Sequence, residues 1–195
     1  MMSNSLETFL LCSAALANLT SMVPSSLTCV SSTNMLVTML THPASSATSV
    51  YILEQLVTVI VNLAKLGQAR KQMLQSSVLT FLMKIFALCQ GQQEESVIKA
   101  ATERTVSKAA IALARLCLDP VIADTVVEMG GLEVLYPLAE VTSSSNETIR
   151  IAALAAIKTI SVYSSVTHNL NISTSSDLYY STQSEIPTSS LESFV

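Results

Sequence analysis

The 195-residue chain is predicted to fold as an all-α, superhelical solenoid followed by a disordered tail, on three observations. The first is a recurrence. Ala15-Leu16-Ala17-Asn18-Leu19 returns as Ile60-Val61-Asn62-Leu63, then as Leu113-Ala114-Arg115-Leu116 and finally as Leu154-Ala155-Ala156-Ile157. The intervals of 44, 53 and 41 residues are those of a helical repeat of about 40 to 47 residues, the middle copy being lengthened. The second is composition. Half the residues are hydrophobic and 12% charged, with four Gly and five Pro, and the mean hydropathy is +0.51. That supports a well-buried stack and leaves too few turn residues for a β-sandwich. The third is the shift after Tyr163 to Ser, Thr and Asn with few large apolar residues. Such a segment cannot bury enough surface to offset the entropy of ordering it.

Taken in order, Leu6 to Thr20 reads as a helix with Leu6, Leu10, Ala14 and Ala17 on its apolar stripe. Pro24 ends it, lacking an N–H donor and clashing with the preceding turn. Ser25 and Ser26 can cap a short helix over Leu27–Val30, and Met35–Leu40 gives another, stopped by Pro43. A long helix follows from about Thr48 to Lys65, with Ile52, Leu56, Val59 and Leu63 inward. The short–medium–long order returns as Gln68–Leu74, Val78–Cys89 with Leu82, Ile85 and Phe86 inward, and about Glu95 to Leu118. Gly91 and its Gln/Glu-rich neighbours account for the extra length before that third helix. Asp119-Pro120 breaks it, with Pro at a first helical position, where its missing N–H costs little. The last unit is Val121–Met129, a Gly130-Gly131 corner, Leu132–Val141 with Pro137 as a kink or restart, a Ser143–Asn146 loop, and Glu147–Val162. In that final helix Ile149, Ala153, Ala156 and Ile160 share one face.

Several function classes drop out. The apolar run Leu53–Leu66 is interrupted by Glu54, Asn62 and Lys65, short of the roughly 18 uncharged residues of a membrane span. Phe9–Val23 lacks the positive region of a signal peptide and has Glu7 in its place, so no membrane insertion is expected. A net charge of −4 gives no basic footprint for nucleic acid. Cys12, Cys29, Cys89 and Cys117 are far apart, with no CxxC or neighbouring His, so they read as buried thiols in a reducing compartment. The sequons at Asn18, Asn146 and Asn171 are then chance matches in a Ser/Thr-rich chain. His42 lies beside a Pro and His168 in the tail, neither with a partner at catalytic spacing. No enzyme, metal site or cofactor site is legible.

The run Glu128-Met129-Gly130-Gly131-Leu132-Glu133-Val134-Leu135, followed by Glu147-Thr148-Ile149-Arg150-Ile151-Ala152-Ala153-Leu154-Ala155-Ala156-Ile157, resembles an armadillo repeat. That resemblance implies a right-handed superhelix of about 3.5 repeats within residues 1–163: a partial repeat at 5–20, then repeats over about 21–65, 66–118 and 119–163. The first two full repeats depart from the family at the corner, with Ser31-Ser32 and Ser76-Ser77 where it has Gly. The chain also opens partway into a repeat, which points to preceding sequence.

Three groups of residues could carry binding. In armadillo proteins the third helices line a groove, where the Asn of Leu-Asn-Leu hydrogen-bonds an extended peptide. Asn18 and Asn62 match that position, whereas Arg115 and Ala156 replace it. An amide suits a peptide because it both donates and accepts, but such an Asn can equally cap a helix or pair within the stack. Arg104, Lys108, Ile111 and Arg115 share one helical face. Lining the groove, this stripe would favour an acidic or phosphorylated peptide; otherwise it is a solvated outer face. The third group ends the flexible tail, residues 164–195. Glu192-Ser193-Phe194-Val195 has the form of a PDZ ligand, which adds a β-strand and docks its carboxylate on backbone N–H groups.

Armadillo-like repeats followed by a tail ending Glu-Ser-Phe-Val resemble the C-terminal part of the Inscuteable family of asymmetric-cell-division adaptors. The resemblance implies a cytoplasmic scaffold at the apical cell cortex. It would link a PDZ-containing polarity protein of the Bazooka type to Pins-type spindle-orientation machinery and its Gα partner. The Pins-binding segment of that family lies upstream of the repeats, and nothing in residues 1–195 matches it. The alternatives are a β-catenin- or importin-like groove binder, which needs no C-terminal motif, and a purely structural helical-repeat subunit.

Overall fold

The computed structural model describes residues 3–22, 29–41, 49–75, 77–88, 96–140 and 147–165. Among the described residues there are nine helices and no strand. They are α1 (Ser3–Met22), α2 (Cys29–Thr41), α3 (Val50–Leu63), α4 (Gly67–Leu74), α5 (Val78–Leu88), α6 (Ser96–Leu116), α7 (Pro120–Glu128), α8 (Gly131–Ala139) and α9 (Glu147–Tyr163). The helix punctuation at Pro24 and Pro43, the caps at Ser25 and Ser26, His42, Cys89, Gly91, Ser76 and the Ser143–Asn146 loop lie outside these residues. So does everything from 166 on, including Glu192, Ser193, Phe194 and Val195.

The most extensive helix–helix contacts join α1 to α3, α3 to α6 and α6 to α9, so the long helices are neighbours in chain order. The shorter helices pack beside them, α5 on α6 and α8 on α9. Helix α6 buries Ala109, Ala110 and Ala112, and α9 buries Ala152, Ala153 and Ala156, small side chains that let helices approach closely. Branched residues fill the layer beside them. Ile52, Leu56, Val59 and Leu63 of α3 are essentially inaccessible, as are Leu82, Ile85 and Phe86 of α5. The inward faces of α3, α5 and α9 are therefore those read from their periodicity.

Local chemistry sets the ends. Ser49 caps α3, its hydroxyl accepting from the Tyr51 N–H. Asp119 caps α7 by accepting from the Val121 N–H at 3.1 Å, with Pro120 as the first helical residue. Gly130 has φ +77°, the one positive φ among the described residues. At Gly131 a Cβ would lie against the Val126 side chain and 2.8 Å from its carbonyl oxygen. One glycine therefore makes the turn and the next allows α8 to close on α7.

Four details differ from the sequence reading. The expected pair of helices around Ser31-Ser32 is one continuous helix, α2. No glycine is available there to take a left-handed turn, and Thr33 satisfies its hydroxyl by donating to the Cys29 carbonyl at 2.8 Å. Pro137 lies inside α8 without restarting it. On α1, Leu6 and Leu10 are exposed, and the buried line is Ser13, Ala17 and Thr20. The two hydroxyls bond back to the Leu10 and Leu16 carbonyls, so small polar residues can face the core. Finally, of the cysteines described, Cys117 is buried, Cys29 half-buried and Cys12 exposed, all as free thiols. Burial pushes the Cys117 thiol up to about 12.

Candidate functional site

The polar side chains of interest lie at the junctions between long helices. The largest cluster joins α3 to α6. Glu54 stands among the buried Ile52, Leu53, Leu56 and Val57 of α3 and is itself buried. Arg104 on α6 grips it with two parallel bonds, Nε to Oε1 at 3.0 Å and an η nitrogen to Oε2 at 3.1 Å. Lys108, one turn further along α6, donates from Nζ to Oε1 at 3.1 Å and to the Thr58 hydroxyl at 2.9 Å. Thr58 in turn donates to the Glu54 carbonyl at 2.8 Å. Burial raises the Glu54 carboxyl, but the bonds from Arg104 and Lys108 and their positive charge prevail and hold it below the ordinary 4.5. The Arg104 guanidinium is pushed up by the same bond. The cluster holds two cations and one anion, and the Arg104 side chain remains 54% exposed.

The recurring motif positions come next. Asn62, on α3, donates from Nδ2 to the Ala17 carbonyl at 3.4 Å and to the Thr20 hydroxyl at 3.3 Å, both on α1. Arg115, on α6, donates to the Val61 carbonyl of α3 at 3.0 Å. Val61 lies in the last turn of α3, where carbonyls run out of intrahelical partners. Arg70 serves the same helix end, donating to the Ala64 carbonyl at 2.9 Å. Both guanidiniums sit where the helix dipole favours positive charge. Arg115 is itself buried, and desolvation lowers its pKa. At the third junction Ser107 of α6 donates to the Thr148 carbonyl of α9 at 3.4 Å.

The structure therefore brings Arg104, Lys108 and Arg115 to the side of α6 that meets α3, and Asn62 to the side of α3 that meets α1. Asn18 is exposed on α1. Glu54 and Thr58 were not singled out from the sequence, though a signal existed. Glu54 precedes Arg104 by 50 residues and Lys108 by 54, on either side of the 53-residue interval between Asn62 and Arg115. Asn62 follows Ala17 by 45, and Arg115 follows Val61 by 54. Polar residues at these separations are the pairs that the packing of successive long helices brings together. Among the described residues no group of His, Cys, Asp and Glu could hold a metal ion. None of the described helices is long and apolar enough to cross a membrane.

Taken together, the fold and these junctions define an all-α protein whose long helices are joined by side chains that bond across their junctions. A family model described as "Protein inscuteable C-terminal" matches residues 2–177. The chain belongs to the Inscuteable family. It is 30% identical to the "Protein inscuteable homolog" of Mus musculus over 156 residues, which covers 78% of this chain and 27% of the mouse protein. The Homo sapiens homolog is also 30% identical, over 157 residues and the same shares. The chain thus spans about a quarter of the length of the curated relatives it matches. No solved structure matches it.

Proposed function

We propose that this chain is the C-terminal, armadillo-type part of a non-enzymatic adaptor that acts in asymmetric cell division. Membership of the Inscuteable family carries the reading. The succession α1, α3, α6, α9 supports an armadillo-type superhelix in which those helices are the third helices of successive repeats. In this reading residues 1–163 form about 3.5 repeats, and residues 164–195 carry a PDZ ligand. The carboxylate of Val195 docks on backbone N–H groups of a cortical polarity protein, the Val side chain fills its apolar pocket, and Ser193 supplies a hydroxyl. A Pins-type partner would bind through sequence preceding these repeats.

The junction geometry divides the candidate groove residues. Asn62 and Arg115 spend their donors on the neighbouring helix, which favours a structural role for them. Arg104, half-exposed beside Lys108, is the cation best able to receive an acidic peptide as well. The test separates these surfaces. A synthetic peptide of residues 186–195 with a free carboxylate is titrated into the PDZ domains of cortical polarity proteins. Binding that survives removal of Phe194 and Val195 sinks the PDZ assignment. Charge reversal of Arg104 and Lys108 tests the groove, and unchanged capture of acidic peptide removes that stripe from the binding surface.

A further inference from the structure

The sequence assigns Ser164 to the tail, yet it is fully buried. Its N–H donates to the Ile160 carbonyl at 2.8 Å, continuing the hydrogen-bond pattern of α9. Its hydroxyl donates to Asp124 Oδ1 at 2.6 Å. The next residue, Ser165, donates its hydroxyl to Oδ2 of the same carboxylate at 2.7 Å. Asp124 belongs to α7, 40 residues upstream, so one carboxylate clasps two successive hydroxyls and ties the end of α9 to α7. Ser164 is closed to solvent, whereas Ser165 is exposed.

We propose that Ser165 is a phosphorylation-sensitive latch, at which modification opens this clasp. A Ser/Thr protein kinase using ATP would form a bond from Ser165 Oγ to the γ-phosphorus and break the bond to ADP. The hydroxyl proton would go to the kinase's base. That proton is the one Ser165 now donates to Asp124, so the bond and the phosphate exclude each other. The phosphate brings about −1.5 to −2 charges against a carboxylate within hydrogen-bond distance, at the end of a helix whose dipole already disfavours anions. Repulsion on both counts pushes Ser165 outward, and the neighbouring Ser164 loses its position on Oδ1. The last turn of α9 then frays, and the chain beyond it leaves the repeat from an earlier point.

The test uses the full 195-residue chain with phosphoserine installed at position 165 and follows hydrogen exchange of the Ser161–Ser165 segment. Exchange there is expected to accelerate about tenfold or more, from the charge repulsion alone, with the centre of α6 unchanged. Asp124→Asn keeps the size and an acceptor but removes the charge, so phosphorylation in that background should accelerate exchange by less than about threefold. Unchanged exchange on phosphorylation overturns the proposal. Equal acceleration in both backgrounds, or acceleration shared by α6, overturns it as well, because neither would come from repulsion at a local clasp.

Discussion

Glu54 is the residue whose environment departs furthest from what its neighbours in sequence suggest. Ile52, Leu53, Leu56 and Val57 around it are core, and the carboxylate survives there because three donors reach it from α6. Its pKa is lower in the folded chain than in the unfolded one. The unfolded state therefore binds the proton more readily, and this group's stabilisation is present above 4.5 and lost as pH falls through the depressed value. The urea midpoint should fall on acidification below that point, and Glu54→Gln should flatten this part of the profile; an identical profile in the variant would assign acid lability elsewhere. Arg115 makes a sharper case. Arg115→Ala removes a buried donor from a helix-end carbonyl and should cost roughly 1.5–3 kcal/mol in urea unfolding, the range for a hydrogen bond from a charged group. A loss within about 0.5 kcal/mol, typical of a surface substitution, would mean that water replaces the guanidinium at no penalty.

At the scale of elements, the corners decide how each repeat turns. The α7–α8 corner uses a left-handed Gly130, legible from the paired glycines, and a Gly131 pressed on Val126, which only the structure shows. Gly131→Ala should destabilise the chain by about 1–3 kcal/mol, because backbone as well as side-chain atoms of Val126 oppose the new methyl. A calorimetric midpoint within error of the parent would show that α8 can slide outward freely. Around Ser31-Ser32 the outcome was not legible. A serine pair can end a helix or sit within one, and only the surrounding packing chose the continuous α2. The same ambiguity misplaced the buried face of α1. Leucines suggested one stripe, but Ser13 and Thr20 turned their hydroxyls onto their own helix and faced α3 instead.

Across the whole molecule, each long helix is held by the one before and the one after, so stability accumulates between neighbours. The centre of that sequence is α6, which touches α3, α5 and α9. Leu113→Ala, at a fully buried site on α6, should cost about 2–5 kcal/mol and lower the unfolding midpoint of every layer together. Retention of α3 protection in hydrogen exchange while α9 is lost would instead mean that the layers unfold independently. The binding readings belong to this scale too. Asn62 joins α3 to α1 and Arg115 joins α6 to α3, whereas Arg104 is half-exposed beside its bonds to Glu54.

The all-α class and the core faces of α3, α5 and α9 follow from the sequence alone, because apolar periodicity acts within one helix, whereas the single α2 was read as two helices. The recurrence at Asn18, Asn62, Arg115 and Ala156 placed these residues at matching positions of α1, α3, α6 and α9. What those polar positions do was decided only by tertiary structure. A hydrogen bond between residues 45 or 54 apart exists only when packing brings α3 onto α1 and α6 onto α3. Glu54 and Asp124 looked like isolated carboxylates in their own helices. Each acquires its role from donors that the chain supplies 40 to 54 residues later, once those helices are packed side by side.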